Sequence, residues 1–200
     1  KKNNKNEINS NNNKNKDITL SSTTNIATTI KLGLKGNKIK VNLNKEKNIY
    51  HVEGNGTIIG SCSLDCDTGY WEVHVGKNPL GLKIGVVRFN NKKPTSLEET
   101  MIGNGEGITP SWCLSDVELK EGDIVGICWD QTDLPMLSFC LNGNLLSTGS
   151  ITRIRPANDI CPAVSLEEGS SCDVVFDGNY FAKTPPSSKF TMIVCATSLI

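Results

Sequence analysis

Apolar and polar residues alternate with period two along much of this chain. Met136-Leu137-Ser138-Phe139-Cys140-Leu141 sets Leu137, Phe139 and Leu141 on one face and Ser138 and Cys140 on the other, the signature of a strand with one buried face. Ahead of it, Gly122-Asp123-Ile124-Val125-Gly126-Ile127-Cys128-Trp129-Asp130 is a continuous apolar run bounded by polar residues. Gln131–Pro135 joins the two as a loop. Asn142-Gly143 then supplies a type I′ hairpin turn, because both residues tolerate positive φ. Three antiparallel segments follow one another here, and the rest of the chain reads as strands added to this meander.

The same reading predicts strands over 39–43, 49–52, 57–63, 68–75 and 83–89, with a turn at Glu53-Gly54-Asn55-Gly56. In Thr68–Val75, Trp71, Val73 and Val75 share one face. Residues 90–120 are irregular and punctuated by Pro94, Gly103, Gly105, Gly107 and Pro110; long loops on a rigid scaffold commonly carry binding sites. Strands return over 160–166 and 172–176, separated by a turn at Glu167-Glu168-Gly169, and over 190–195. No stretch carries a helical stripe over three turns. The pattern predicts an all-β class, a two-sheet antiparallel sandwich, with Trp71 and Trp129 in its core.

Composition is most unusual at the N-terminus. Lys+Arg and Asp+Glu both total 21, so no net field favours nucleic acid or a membrane surface. Residues 1–17 nevertheless hold eight Asn and five Lys against Glu7 and Asp17. That stretch buries too little apolar surface to offset its ordering entropy, and it reads as a disordered low-complexity tail. Residues 18–35 read as a linker or entry strand, and 36–200 as the sandwich with a C-terminal strand. An opening Lys1 suggests a piece of a longer protein. Most of the eight cysteines lie in apolar runs, where free Cys behaves as a small hydrophobe. With no signal peptide and no apolar run of about 18 residues, the expectation is a reduced, cytoplasmic, monomeric protein.

Candidate chemistry is sparse. His51 and His74 are the only neutral-pH bases, and His74 shares a strand face with Glu72, usually a structural pairing. Cys62-x-x-x-Cys66 would need two further zinc ligands, such as His51 or His74, brought together by the fold, and reads first as two strand-end cysteines near a turn. The Gly-rich stretches at 54–56 and 103–107 do not open a helix with Gly-Lys-Ser/Thr, so no phosphate cradle follows. Asn55-Gly56-Thr57 is a glycosylation sequon by pattern and reads as a turn. No catalytic residue, metal or cofactor is expected. Trp112, inside the irregular segment, is either a binding anchor or a cover over the end of the sandwich.

Several stretches together resemble the SPRY domain family in order and spacing: Tyr70-Trp71-Glu72-Val73, Ile84-Gly85-Val86, Gly122-Asp123-Ile124-Val125-Gly126, Leu141-Asn142-Gly143, Pro162-Ala163-Val164-Ser165 and Phe176. The resemblance covers residues 36–182. It implies a bent, concanavalin A-like sandwich and a non-catalytic protein-interaction role, with loops at one rim gripping a short segment of a partner. Two positions depart from relatives that bind Asn-rich peptides: Glu167-Glu168-Gly169 replaces a Val-Trp-Gly turn, and Glu99 stands where a Tyr is expected. Candidate partner-binding residues are therefore Glu99, Met101, Trp112, Glu167 and Glu168, and their carboxylates favour a basic protein segment. A glycan-binding, lectin-like role is the alternative that the sandwich itself admits.

Overall fold

The computed structural model describes residues 28–89, 97–99, 101, 110–155 and 158–195; the low-complexity tail lies outside them, as does most of the irregular segment between 90 and 109. Thirteen strands appear among the described residues, with two single-turn 3-10 helices and no α-helix. The central meander forms as its sequence predicts. Strand β8 (Ile124–Asp130) pairs antiparallel with β9 (Met136–Leu141), with Ile127 opposite Phe139. The turn that follows has Asn142 at φ 53° and Gly143 at φ 88° and leads into β10 (Asn144–Leu145).

Two long strands, β4 (Ile49–Gly60) and β12 (Ile160–Val175), hold the architecture together. Each passes through both layers of the sandwich. The first half of β12 pairs with β6 (Leu82–Arg88), which carries β7 (Ser111–Cys113). Its second half pairs with β5 (Thr68–Val75), which continues into β8 and β9. Across from it, the first half of β4 pairs with β3 (Ile39–Asn44) and the second half with β2 (Leu32–Lys35). One layer is therefore β7-β6-β12-β4-β2, and the other β3-β4-β12-β5-β8-β9, with β10 and β11 (Ile151–Thr152) along β9.

The ribbon bends where the pairing register shifts between Leu166 and Ser170, opposite Gly54 and Gly56. Those glycines have φ of 125° and 123°, and Gly169 has 85°, conformations that cost little only without a Cβ. The two turns expected at 53–56 and 167–169 are thus the facing sides of a single corner. Strand β2 also makes part of the expected linker an exposed strand at the sheet edge.

The apolar faces meet between the layers, where Trp71, Trp129, Phe139 and Phe176 are fully buried. Two smaller clusters lie on the outer faces. Ile59, Val87, Met101, Cys113, Cys161 and Ala163 form one. Tyr70, Cys128 and Cys140 form the other with Phe190, and Phe181 packs against them.

The segment after β12 lies across the outside of β5 and β8. The buried Glu72 carboxylate accepts hydrogen bonds from the Ala182 (2.8 Å) and Lys183 (2.9 Å) amides and the Tyr70 hydroxyl (3.1 Å), and pairs with His74 Nε2 at 2.9 Å. Lys189 Nζ meets Asp130 at 2.5 Å. His74 and Glu72 therefore act structurally, as their shared strand face suggests.

One expectation is overturned. Cys62 and Cys195 form a disulfide, and the other six cysteines are free. Their separation of 133 residues hides the pairing from local sequence reading. It arises because β13 (Val194–Cys195) is carried back past the end of β4, where it pairs with β1 (Thr28–Thr29). Disulfides are uncommon in the cytosol, so the thiol argument for a cytoplasmic protein falls. Among the described residues no helix is long and apolar enough to cross a membrane.

Candidate partner-binding corner

The corner is built by three pieces of chain. The glycine bend of β4 supplies one side, the bulge of β12 the other, and residues 97–99 with Met101 lie over them. Backbone approach is close: a Cβ at Gly56 would come within 2.8 Å of the Leu97 carbonyl, and one at Gly36 within 2.5 Å. The Leu97 carbonyl also accepts from the Thr57 amide at 2.7 Å.

Two buried hydroxyls staple this segment down. Thr57 Oγ1 donates to the Glu99 carbonyl at 2.6 Å, which uses its only proton. At the 2.5 Å contact between the two hydroxyls, Ser165 Oγ must therefore donate to Thr57 and remain free to accept from the Met101 amide at 3.0 Å. The Glu98 carboxylate accepts from the Asn37 amide at 3.0 Å. Net hydrogen-bond contributions of about 1 kcal/mol each make this segment part of the scaffold.

Across the bend, the Glu167–Ser171 bulge is tied to the loop before β6. Asn78 Nδ2 donates to the Glu168 carbonyl at 3.2 Å, Ser170 Oγ to the Asn78 carbonyl at 3.0 Å, and the Lys77 amide to Ser171 Oγ at 3.0 Å. Gly81 allows the approach, since a Cβ there would lie 2.8 Å from that of Glu167. Beside the bend opens a cavity of about 390 Å³ lined by Lys40, His51, Glu53, Gly54, Lys77 and residues Gly169–Ser171. His51 Nδ1 sits 2.6 Å from Asp173 Oδ1 at its edge. Sequence reading missed this concavity, because the strands that line it are brought together only by the register of β12 on β4.

Glu99, Glu167 and Glu168 are exposed on this corner. Among the described residues, no Lys, Arg or His forms an ion pair with any of the three. Lys83 lies in the Thr57–Ser165 row. Met101, by contrast, is only 7% exposed and touches Cys113 through sulfur at 3.9 Å. Trp112 does not share this surface. It packs half-buried against the interior cluster, whereas Met101 lies on the outer face of the same layer, and the Arg88 guanidinium sits 5.5 Å above its ring. The structure thus brings Glu99, Glu167 and Glu168 to one corner, buries Met101 beneath it and turns Trp112 inward.

No family model and no curated protein matches the chain. Solved structures do. The NHR1 domain of Drosophila melanogaster Neuralized is similar at a TM-score of 0.53 and 8% identity, over 75% of this chain and 99% of that one. The TRIM65 PSpry domain is similar at 0.51 and 15%, over 74% and 93%. A human SPRY domain aligns at 0.47 and 16%, over 68% and 96%. The fold is the SPRY type, which the NHR1 domain shares. The all-β sandwich that the strand pattern predicts is the one observed.

Proposed function

We propose that this chain is a non-catalytic protein-interaction module whose glycine corner binds a short basic segment of a partner protein. The observation that carries the reading is a set of exposed carboxylates, Glu99, Glu167 and Glu168, presented on a hydrogen-bonded corner with no cation among the described residues ion-paired to them. A rigid backbone loses little entropy on binding, and exposed carboxylates interspersed with Lys77 and Lys83 set a charge pattern that a complementary basic segment can match. Met101 serves as the buried anchor of the loop that presents Glu99, and Trp112 as packing at the other face of the layer. The fold's implied role as an interaction module points the same way. The exposed His51 pairs with Asp173 and the half-buried His74 with Glu72, while the Ser170 and Ser171 hydroxyls that line the cavity with His51 are engaged by the Asn78 carbonyl and the Lys77 amide. Glycan binding, the alternative, has no comparable observation behind it.

Titration of the full chain with a library of lysine- and arginine-rich peptides, with charge-matched acidic peptides as controls, tests the proposal. Glu167→Lys/Glu168→Lys should weaken the best basic ligand by about tenfold or more, through loss of attraction at a rigid site. Trp112→Ala should leave that affinity unchanged while lowering the melting temperature. Binding that survives the charge reversal, or that prefers acidic peptides, overturns it.

A further inference from the structure

The disulfide sits at a distinctive place. Strands β1 and β13 are two residues each and pair only with one another, Thr28 with Cys195 and Thr29 with Val194, as a ribbon separate from the main sheet. So short a ribbon is marginal by itself. Two apolar side chains seat it, Ile30 and Ile193, both 1% exposed in the interior cluster. Beyond the chain itself, the Cys62–Cys195 bond is the one cross-link between the ribbon and the body among the described residues, and its flanks add backbone hydrogen bonds from the Ser61 amide to the Lys31 carbonyl (2.7 Å) and from the Tyr70 amide to the Thr191 carbonyl (2.8 Å). Cys62 and Cys195 are both half-buried rather than sealed, and Cys62 lines a cavity of about 400 Å³ open beside Leu34 and Phe89. The free thiols differ: Cys113, Cys128, Cys140, Cys161 and Cys172 are buried, and only Cys66 is partly exposed. Cys66 lies under the ribbon, since a Cβ on Gly69 would meet both its sulfur at 3.4 Å and the Ile193 side chain.

We propose that Cys62–Cys195 is a reversible redox latch on this terminal ribbon, opened by a soluble dithiol reductant that reaches it through the cavity. A dithiol R(SH)2 reduces the bond by exchange: one reductant thiolate attacks a cystine sulfur, the second resolves the mixed disulfide, and Cys62 and Cys195 leave as thiols while R becomes the cyclic disulfide. The two electrons come from the reductant, and its two protons end on the freed cysteines. Cys66 does not open the latch itself, because burial pushes its thiol above the ordinary value of 9.0 and keeps it protonated. Once opened, the ribbon is held by two residue pairs, two apolar anchors and the flanking Lys31–Ser61 and Thr191–Tyr70 backbone bonds, so it opens as a local unit far more often while the main sheet, which holds most of the interior cluster, stays folded. The body loses its cover over Cys66 and over the end of the sandwich.

Mass analysis of the full chain purified without reductant should show six alkylatable cysteines under denaturing conditions, and eight after dithiothreitol. Native hydrogen exchange should then show protection at residues 28–30 and 193–195 falling by about tenfold or more on reduction, with β5, β8 and β12 unchanged, as for a local opening unit. Alkylation of Cys66 should accelerate in parallel, and oxidised glutathione should reverse both effects. Cys62→Ser/Cys195→Ser should reproduce the reduced pattern and ignore dithiothreitol; should it fail to fold, the wild-type redox cycle alone decides. Eight reactive thiols without reductant, unchanged ribbon protection on reduction, or loss of protection throughout β5, β8 and β12 would each overturn the latch.

Discussion

Glu72 shows how one buried charge is kept in a β-sandwich. Burial alone would push its pKa up, but the bond to His74 and the Ala182 and Lys183 amides more than offset this, so it titrates below its ordinary value of 4.5. A depressed folded pKa stabilises the protein fully above the unfolded value, and the contribution drains away as pH falls through 4.5 toward the folded value. Glu72→Gln should cost about 2 kcal/mol at neutral pH, as charged hydrogen bonds are lost. It should also shrink the fall in stability between roughly pH 5 and pH 3, read from urea midpoints; an unaltered pH slope would show that Glu72 is not the group responsible. At the meander turn, Gly143 has space around it, with Lys183 at 3.5 Å the nearest neighbour to an added Cβ. The cost of Gly143→Ala is then purely conformational, about 1–2 kcal/mol, and an unchanged melting temperature would contradict the turn geometry.

At the scale of elements, the corner of β4 and β12 decides how the sheets relate. Gly54 is the tightest point: a Cβ there would lie 2.1 Å from the Lys38 carbonyl at a φ of 125°. Strain and overpacking add, so Gly54→Ala should destabilise by about 3 kcal/mol or more, measured by chemical denaturation, whereas a loss under 1 kcal/mol would mean that the bend is adaptable. Strand identity was legible in the sequence because the period-two pattern of Thr68–Val75 and Met136–Leu141 reports burial of one face directly. The stretches at 53–56 and 167–169 were legible as bends but not as one corner, since a turn and a bulge inside a continuous strand share the same local chemistry. Only the register of β12 against β4 separates them. The candidate site was legible in part for the same reason. Glu99, Glu167 and Glu168 stand out as charge on irregular backbone, but Met101 and Trp112 looked alike until the strand pairing put them on opposite faces of one layer.

For the whole molecule, the sandwich has one interior cluster and an outer cluster on each face, covered by chain that is not itself sheet. Residues 97–99 and Met101 cover one face, and the segment through Phe181 and Phe190 covers the other. The first cover presents the acidic corner. The second leads to the ribbon tied by Cys62–Cys195, so the two proposed activities, binding and redox release, use different coverings of one rigid body. The most direct measurement is a residue-by-residue amide chemical-shift map of the full chain titrated with its best basic peptide. Shifts should concentrate at Gly54–Thr57, Glu98–Glu99 and Glu167–Ser170, and vanish in Glu167→Lys/Glu168→Lys. Shifts centred instead on Trp112, Arg88 and Asp159, with the acidic corner silent, would contradict the assignment of function to that corner.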